Sequence, residues 1–167
     1  MTRYAVATAA VLLLGCKGGA GNPGNTQMSN AALQVADGYL AAWNAHDAAR
    51  AASFFADSVV YLDAYAGTPL VGRDNVRKNL IQPYITVAPD CKWVRDGDAV
   101  VSPTGDAVAF QWTYTGTNTG PWPDATPITG KAFTFKGLTL MRLKDGKIVS
   151  QFDSYDGLTI NKQLGLK

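Results

Sequence analysis

The segment 129–165 reads TGKAFTFKGLTLMRLKDGKIVSQFDSYDGLTINKQLG. Apolar and polar residues alternate on both sides of Asp145-Gly146. An Asp-Gly pair between two such stretches predicts a β-hairpin, because a type I′ turn needs positive φ at both central residues. A two-residue loop at this position pairs Leu143 with Ile148, and a short helix follows the second strand.

This register decides which side chains share a face of the hairpin. Uninterrupted pairing places Thr139 opposite Phe152 and Phe135 opposite Asp156. One face then carries a set of apolar side chains with the Asp156 carboxylate at its far end; these are Phe133, Phe135, Met141, Leu143, Ile148 and Phe152. A carboxylate at the rim of an aromatic face indicates a ligand site, so Asp156 is the candidate catalytic residue.

The chain carries an ordered set of short motifs, of which several lie in this segment. They are WNAHD at 43–47, FFADSVVY at 54–61, PD at 89–90, GTNTG at 116–120, TP-x-TGK at 126–131, F-x-G at 135–137, R-x-x-DGKI at 142–148 and an Asp seven residues before QLG at 163–165. Taken in this order, they resemble the SnoaL-like polyketide cyclase (ester cyclase) branch of the nuclear transport factor 2-like superfamily.

The resemblance implies both a fold and a chemistry. The fold is an α+β cone in which three N-terminal helices pack in a strongly bent, mostly antiparallel sheet around a tapering apolar cavity. In the resembled cyclases, an Asp seven residues before QLG acts as acid and base, and Asp156 occupies that position. The implied reaction abstracts an acidic C–H flanked by carbonyls and closes a ring by aldol addition, with no metal or cofactor.

Helical and strand patterns along the chain agree with an α+β fold, because helices precede most strands. Ser29 is the expected N-cap of a first helix whose apolar stripe ends at Trp43. A second helix is expected at 48–55 and a third after Gly72, where Pro83 ends or kinks it. The expected strands are 58–63, 91–101 and 107–117, followed by the hairpin.

The strand 107–117 alternates cleanly and places Trp112 and Tyr114 on one face. Continuing this parity puts Asn118 on the same face, where many of the resembled cyclases have His. An amide can donate a hydrogen bond to a developing enolate oxygen, but it cannot shuttle a proton. The candidate ligand-binding residues are Trp112, Tyr114, Asn118, Phe135, Phe152 and, at a strand end, Asp63. Trp122 either covers the pocket or packs on its rim.

A purely structural role for Asp156 is the alternative to catalysis. Asp is among the best helix N-caps, and Asp156 directly precedes the terminal helix. The two roles predict opposite changes of the Asp156 pKa. Burial in an apolar pocket raises a carboxyl pKa above about 3.9, whereas hydrogen bonds from backbone N–H groups lower it.

Residues 1–16, MTRYAVATAAVLLLGC, have the composition of a secretory signal that ends in a bacterial lipobox. This predicts cleavage before Cys16, lipidation of its thiol and an exported, membrane-anchored protein. An ordinary secretory signal with an incidental Cys is the alternative. Lys17 follows where an Asp would indicate inner-membrane retention, which favours the outer membrane, facing the periplasm. Residues 17–28 are Gly/Asn-rich and predict a flexible linker to a domain at 29–167.

The composition limits the partners that this chain can have. A net charge of +2 and the absence of a Lys/Arg cluster argue against nucleic acid. The expected partners are an apolar small molecule, the membrane through the lipid anchor, and a second copy of the chain. The outward sheet face, with Gln111, Thr113, Thr115, Arg142 and Gln151, is the predicted homodimer interface. Three functions remain open: a cofactor-independent cyclase or isomerase with an Asp acid/base, a non-catalytic lipoprotein that binds an apolar ligand, and a structural module.

Overall fold

A computed structural model describes residues 23–166, with side chains from residue 27 onwards. Three helical segments precede or interrupt the first strands. They are α1 (Pro23–Asn44), α2 (Ala48–Ala52) and a continuous helical stretch made of α3 (Arg73–Val76), a π-helical turn (Arg77–Ile81) and α4 (Gln82–Val87). The strands are β1 (Phe55–Asp63), β2 (Leu70–Val71), β3 (Lys92–Val101), β4 (Ala107–Thr117), β5 (Ala132–Lys144) and β6 (Lys147–Tyr155), and α5 (Gly157–Leu164) follows.

The six strands form one sheet in the order β2-β1-β6-β5-β4-β3. Neighbouring strands are antiparallel except β1 and β6, which run parallel. One face of this curved sheet packs on the helices, and their common core is rich in aromatic side chains and in alanines from α1 and α2. The predicted α+β class, with helices packed against a mostly antiparallel sheet, is confirmed.

The first helix starts earlier than the sequence predicts. α1 begins at Pro23, so Ser29 lies inside the helix rather than at its N-cap, and part of the predicted linker is helical. Proline is favoured in the first helical turn, because it has no N–H group that would need a partner there and its φ already suits a helix. The predicted signal sequence and the lipidated Cys16 lie outside the described residues.

The hairpin turn is confirmed, but the register beyond it is wrong. Asp145 and Gly146 both have positive φ, as a type I′ turn requires, and Leu143 pairs with Ile148. The next pair is Arg142 with Ser150, which leaves Val149 as an extra residue in β6. Such a β-bulge shifts every later pair by one residue and exchanges the two faces of the strand.

The bulge changes which residues of β6 face the helices. Thr139 pairs with Asp153 instead of Phe152, and Gly137 pairs with Tyr155 instead of Ser154. The side chains that β6 buries are therefore polar as well as apolar: Ile148, Gln151 and Asp153 are fully buried and Tyr155 is partly buried.

The helical stretch 73–87 contains the expected irregularity near Pro83. Its π-helical turn ends at Ile81, and Pro83 lies in the first turn of α4. A widened turn next to proline is a recognised way to accommodate the missing N–H group, and π-turns are frequent at functional sites. Leu80 lies in the π-helical turn and Tyr84 directly follows Pro83, and both line the cavity described below. Within residues 23–166, no helix is long and apolar enough to span a membrane.

Candidate functional site

An aromatic cavity lies between the helices and the concave face of the sheet. We refer to it as the inner cavity; its free volume is about 30 Å³, enough for about two water molecules. Eight of its eleven lining residues are aromatic, two are carboxylates and one is Leu80. The lining residues are Trp43, Tyr61, Asp63, Leu80, Tyr84, Trp93, Trp112, Tyr114, Phe135, Asp153 and Tyr155.

Asp153 is the most completely buried carboxylate of the inner cavity, with 2% of its surface exposed. It accepts hydrogen bonds from the Thr139 hydroxyl at 2.6 Å, from the Gln151 amide at 3.0 Å and from the Tyr61 hydroxyl. These donors come from β5, β6 and β1. Three neighbouring strands therefore fix the position of one carboxylate. A carboxylate has about four lone-pair sites, so three donors leave it able to accept a proton.

Burial raises the pKa of Asp153 to about 6, from an ordinary value of 3.8. The hydrogen bonds from Thr139, Tyr61 and Gln151 act in the opposite direction, because they stabilise the charged form, and the nearby Asp63 raises the pKa further. A carboxylate with a pKa near 6 is mostly ionised at neutral pH and is a stronger base than an ordinary Asp.

The second carboxylate, Asp63, lies at the end of β1 and belongs to a separate hydrogen-bonded chain. Its Oδ2 accepts from the Tyr155 hydroxyl at 2.6 Å, and its Oδ1 accepts from the backbone N–H groups of Tyr65 and Ala66. The Tyr155 hydroxyl also lies 3.0 Å from that of Tyr84. Burial raises the pKa of Tyr84 to about 12 and also raises that of Tyr155, so both phenols are protonated at neutral pH.

A larger depression adjoins the inner cavity on its open side. We refer to it as the outer pocket; its free volume is about 510 Å³. Tyr84 and Tyr155, whose hydroxyls are hydrogen-bonded to each other, line both spaces. The other walls of the outer pocket come from the turn after β1, the β4–β5 loop and α5: they are Tyr65, Trp122, Asp124, Thr126, Pro127, Gly157, Ile160, Asn161, Leu164, Gly165 and Leu166.

One buried donor at the inner cavity, the indole N–H of Trp93, has no hydrogen-bond partner among the described residues. The Trp43 indole interacts with the Tyr39 hydroxyl, and the Tyr114 hydroxyl interacts with the Cys91 thiol. Because an unpaired buried donor costs about 1–3 kcal/mol, the Trp93 N–H is suited to donate a hydrogen bond to a ligand oxygen. In the described part of the chain, no group of three His, Cys, Asp or Glu side chains could hold a metal ion.

Four of the sequence-predicted site residues meet at the inner cavity. Trp112 and Tyr114 from β4 and Phe135 from β5 form one aromatic wall, with ring centroids 5.2 Å apart for Tyr114 and Phe135 and 5.6 Å apart for Trp112 and Phe135. Asp63 faces them from the end of β1. The Trp112 indole also donates to the Thr139 hydroxyl at 2.8 Å, and that hydroxyl in turn donates to Asp153.

Asn118 and Phe152 lie away from the cavity. Asn118 is fully buried, but its amide bonds the β4–β5 loop: it donates to the Gly120 carbonyl at 3.1 Å and accepts from the Thr129 N–H at 2.9 Å. Phe152 pairs with Leu140 and is not in the buried core, because the bulge at Val149 turns it to the outward face of the sheet. Its predicted place in the pocket is therefore wrong.

Asp156 does not face Phe135, and this expectation is also wrong. It is the exposed N-cap of α5 and accepts from the Thr159 N–H at 3.2 Å and from the Thr159 hydroxyl. These hydrogen bonds lower its pKa, which is the direction expected for a cap and not for a pocket carboxyl. Trp122, whose role was left open, packs its ring edge-on against Tyr84 and lines the outer pocket.

Sequence reasoning missed Asp153, Tyr61, Tyr84 and Trp93 as site residues. A two-residue turn followed by uninterrupted pairing predicts that Asp153 lies on the outward face of the hairpin. Nothing in the segment IVSQFD identifies Val149 as the extra residue of a bulge. The signal that was available is the presence of a second Asp, three residues before Asp156.

Comparison with known proteins agrees with this architecture. The family model described as SnoaL-like polyketide cyclase matches residues 33–164. A comparison with curated proteins finds no match.

Solved structures with the same fold come from several bacteria. IdmH from Streptomyces antibioticus, a candidate polyketide cyclase, is 26% identical with a TM-score of 0.66, over 81% of this chain and 99% of that one. A candidate SnoaL-like polyketide cyclase from Jannaschia sp. CCS1 is 17% identical, with a TM-score of 0.70 over 87% and 96%. A hypothetical protein with a ketosteroid isomerase-like fold from Catenulispora acidiphila, in complex with trimethylamine, is 22% identical, with a TM-score of 0.67 over 80% and 94%.

The raised pKa of Asp153 predicts how stability changes with pH. Between about pH 4 and pH 6, the folded protein holds a proton on Asp153 that the unfolded chain releases, so the free energy of unfolding falls as pH rises. The change from 3.8 to about 6 corresponds to about 3 kcal/mol. Asp153→Asn lacks this titration. Denaturant unfolding of both proteins should therefore show wild-type stability falling relative to the variant by about 2–3 kcal/mol from about pH 4 to about pH 7. A constant difference would contradict the raised pKa.

Proposed function

Because this chain belongs to the SnoaL-like polyketide cyclase family, we propose that its inner cavity binds a small molecule and acts on a carbonyl-activated C–H group with Asp153 as the acid and base. The observation that carries this proposal is the Asp153 carboxylate, which is buried among aromatic rings and fixed by three neighbouring strands. The catalytic assignment of Asp156 rested on its spacing from QLG and on a register that the strand does not have; because Asp156 is an exposed N-cap, Asp153 takes its place in this proposal.

The proposed reaction transfers a proton from the substrate to the Asp153 carboxylate and leaves an enolate oxygen on the substrate. The Asp153 carboxylate takes the proton from a C–H flanked by carbonyls and becomes a neutral carboxyl, while the C–H electron pair moves to a carbonyl oxygen as an enolate. The same carboxyl can later return the proton. Because the C–H is already acidic and burial strengthens the base, this step needs no further activation of the carboxylate.

The enolate oxygen needs hydrogen-bond donors that are in place before the reaction. Trp93, whose indole N–H is unpartnered, lines the same cavity and is the candidate for this role. Preorganised donors in a site that excludes water stabilise a developing oxyanion more than water does. Asn118, the amide that sequence reasoning offered for this role, is committed to the β4–β5 loop.

A proton-exchange experiment tests this function without knowledge of the natural substrate. In D₂O, wild-type protein should accelerate deuteration of the acidic C–H of methyl acetoacetate, as followed by ¹H NMR. The rate should rise with pH through about 6, as Asp153 loses its proton. Asp153→Asn should lower the protein-dependent rate by about 10²–10⁴-fold, the usual contribution of a general base.

Asp156→Asn is the matched control, because it removes a carboxylate that lies three residues away and is exposed at the start of α5. Its exchange rate should stay within about twofold of wild type, with a cost in stability of at most about 1–2 kcal/mol. If Asp153→Asn exchanged as fast as wild type, or if only Asp156→Asn were inactive, Asp153 would not be the base.

Binding without turnover is the second candidate function, and one observation favours it. The Catenulispora acidiphila neighbour, which shares the fold, is a complex with trimethylamine. For the present chain, this supports a binding protein for a small organic ligand. It is the role that remains if the exchange experiment shows no acceleration.

We also propose that the chain forms a homodimer through the outward face of the sheet. This face exposes Val94, Leu138 and Leu140 beside the polar residues that the sequence predicted there, except Gln151, which the bulge turns inward and buries. Leu138→Arg with Leu140→Arg should convert a dimer to a monomer in sedimentation at micromolar concentration. Leu158→Arg, a control at an exposed leucine of α5, should leave the dimer intact. A monomeric wild-type protein would contradict the proposal.

The N-terminal motif supports a further proposal on location, namely that Cys16 is lipidated and anchors the domain to a bacterial membrane. Cys16→Ser should move the protein from the membrane fraction to the soluble fraction and remove the acyl mass. Cys91→Ser is the control, because Cys91 is a buried residue of the folded domain. Wild-type protein without an acyl group would refute the anchor.

A further inference from the structure

Thr139 is a fully buried threonine of β5 that lies between the aromatic wall of the inner cavity and its base. Its hydroxyl accepts from the Trp112 indole at 2.8 Å and donates to Asp153 Oδ1 at 2.6 Å. Across the strands, Thr139 pairs directly with Asp153 of β6. Thr139 lies outside the set of described residues that line the cavity, so any effect on a ligand passes through its two partners.

The chemistry of its members fixes the direction of this hydrogen-bonded chain. An indole N–H can only donate, and an ionised carboxylate can only accept. The single proton of the Thr139 hydroxyl must therefore point to Asp153, while the hydroxyl oxygen accepts the proton of Trp112. A hydroxyl that accepts a hydrogen bond is polarised and becomes a better donor, so Trp112 strengthens the contact between Thr139 and Asp153.

Two features of the sheet hold this chain in one geometry. Threonine is branched at Cβ and has few accessible rotamers, so the backbone of β5 largely determines where the Thr139 hydroxyl points. Gly137 of the same strand pairs with Trp112, and a Cβ there would come within 2.3 Å of the indole. The ring that donates to Thr139 is therefore packed against the strand that carries Thr139.

The contact from Thr139 differs from that of Gln151, another donor to Asp153. The Gln151 amide lies 3.0 and 3.2 Å from the two carboxylate oxygens, so it does not distinguish between them. Thr139 and Tyr61 each contact a different oxygen, Oδ1 and Oδ2 respectively. Together they fix the rotation of the carboxylate about its Cβ–Cγ bond, which determines where its remaining lone pairs point.

We propose that Thr139 is a positioning residue for the proton transfer: its hydroxyl, anchored by the Trp112 indole, holds the Asp153 carboxylate in the orientation in which it works as a base. This inference rests on the proposed function of Asp153 and adds the residues that orient it. Loss of the hydroxyl has two consequences. The carboxylate rotates more freely, so it is less often in the reactive orientation, and its charged form loses a donor, which favours the protonated form.

Thr139→Val removes the hydroxyl and keeps the branched side chain. In the deuterium-exchange assay with methyl acetoacetate, the maximal protein-dependent rate should fall about tenfold, because the carboxylate is less well oriented. The pH at which the rate is half-maximal should rise by about one unit, because a charge-assisted hydrogen bond to the ionised form is lost. Thr139→Ser, which keeps the hydroxyl, should restore the midpoint to within about 0.3 unit and the rate to within about threefold.

Thr159→Val is the matched control, because the Thr159 hydroxyl also donates to an aspartate, Asp156, but lies in the first turn of α5. Its midpoint and maximal rate should equal those of wild type. A lower rate in Thr139→Val without a change of the midpoint would show that Thr139 only supports packing. Failure of Thr139→Ser to restore both values would equally overturn the proposal.

The titration of the Asp153 carboxyl separates this inference from the proposed function, because it needs no substrate. Followed by ¹³C NMR, the carboxyl should titrate near pH 6 in wild-type protein and about one unit higher in Thr139→Val. Thr139→Ser should titrate close to wild type. These titrations without any exchange in wild-type protein would refute only the acid/base role. Exchange in wild-type protein with an unchanged carboxyl pKa in Thr139→Val would refute only the role of Thr139.

Other ionisable groups face Asp153 and bear on this titration. They are Tyr39 from α1, Tyr61 and Asp63 from β1, and Tyr84 from α4. Burial raises the pKa of the three tyrosines above their ordinary value, so none of them titrates below neutral pH. Asp63 keeps its own donors in both Thr139 variants, so its influence on Asp153 is the same in each protein.

Wild-type protein gives a further test that remains available if Thr139→Val does not fold. Because Trp112 donates to the hydroxyl that contacts Asp153, its indole N–H signal should shift as Asp153 titrates, with the same midpoint. The shift should exceed that of Trp93, which lines the same cavity without a hydrogen-bond partner among the described residues. A Trp112 signal that does not follow the titration of Asp153 would overturn the chain.

Discussion

One additional residue in the last strand, Val149, determines the chemistry of the concave face. The bulge that it forms turns Gln151, Asp153 and Tyr155 towards the helices, where an uninterrupted strand would direct Phe152. Burying a carboxylate and an amide in place of a phenyl ring is costly unless both are hydrogen-bonded. Donors from β1 and β5 and the Gln151 amide satisfy the Asp153 carboxylate, although the Gln151 carbonyl oxygen has no partner among the described residues, and the result is a strong base in a fixed position. The bulge therefore exchanges apolar burial for a reactive group.

The Thr139 hydroxyl connects the aromatic wall of the inner cavity with its buried carboxylate. It accepts from the Trp112 indole and donates to Asp153, so the aromatic wall of β4 and the carboxylate of β6 are held by one small side chain of β5. Gly137, one step along the same face of β5, leaves the space that Trp112 fills, since a Cβ there would come within 2.3 Å of the indole. The contacts that pack the core therefore also hold the site residues in position, as a preorganised site requires.

The limits of sequence reasoning follow from the same bulge. Local signals were reliable: the Asp145-Gly146 turn and the parity of Trp112 and Tyr114 both hold, because each depends on residues close in sequence. The choice between Asp153 and Asp156 depended instead on contacts between β6 and strands that are distant in sequence. When β6 is considered alone, the spacing of Ile148 and Phe152 favours a strand without a bulge. The bulged strand is stabilised by donors to Asp153 that lie on β1 and β5. A sequence pattern that follows apolar residues therefore selects the wrong carboxylate at a site built from buried polar groups.

The division into two spaces constrains the ligands that can reach the carboxylates. The outer pocket has room for a ring system, while the inner cavity admits only a small group. The Tyr84 and Tyr155 side chains line both spaces, their hydroxyls are hydrogen-bonded, and Tyr155 also donates to Asp63. A ligand that extends from the outer pocket towards Asp153 therefore contacts these two tyrosines, and through Tyr155 it is coupled to Asp63 as well as to Asp153.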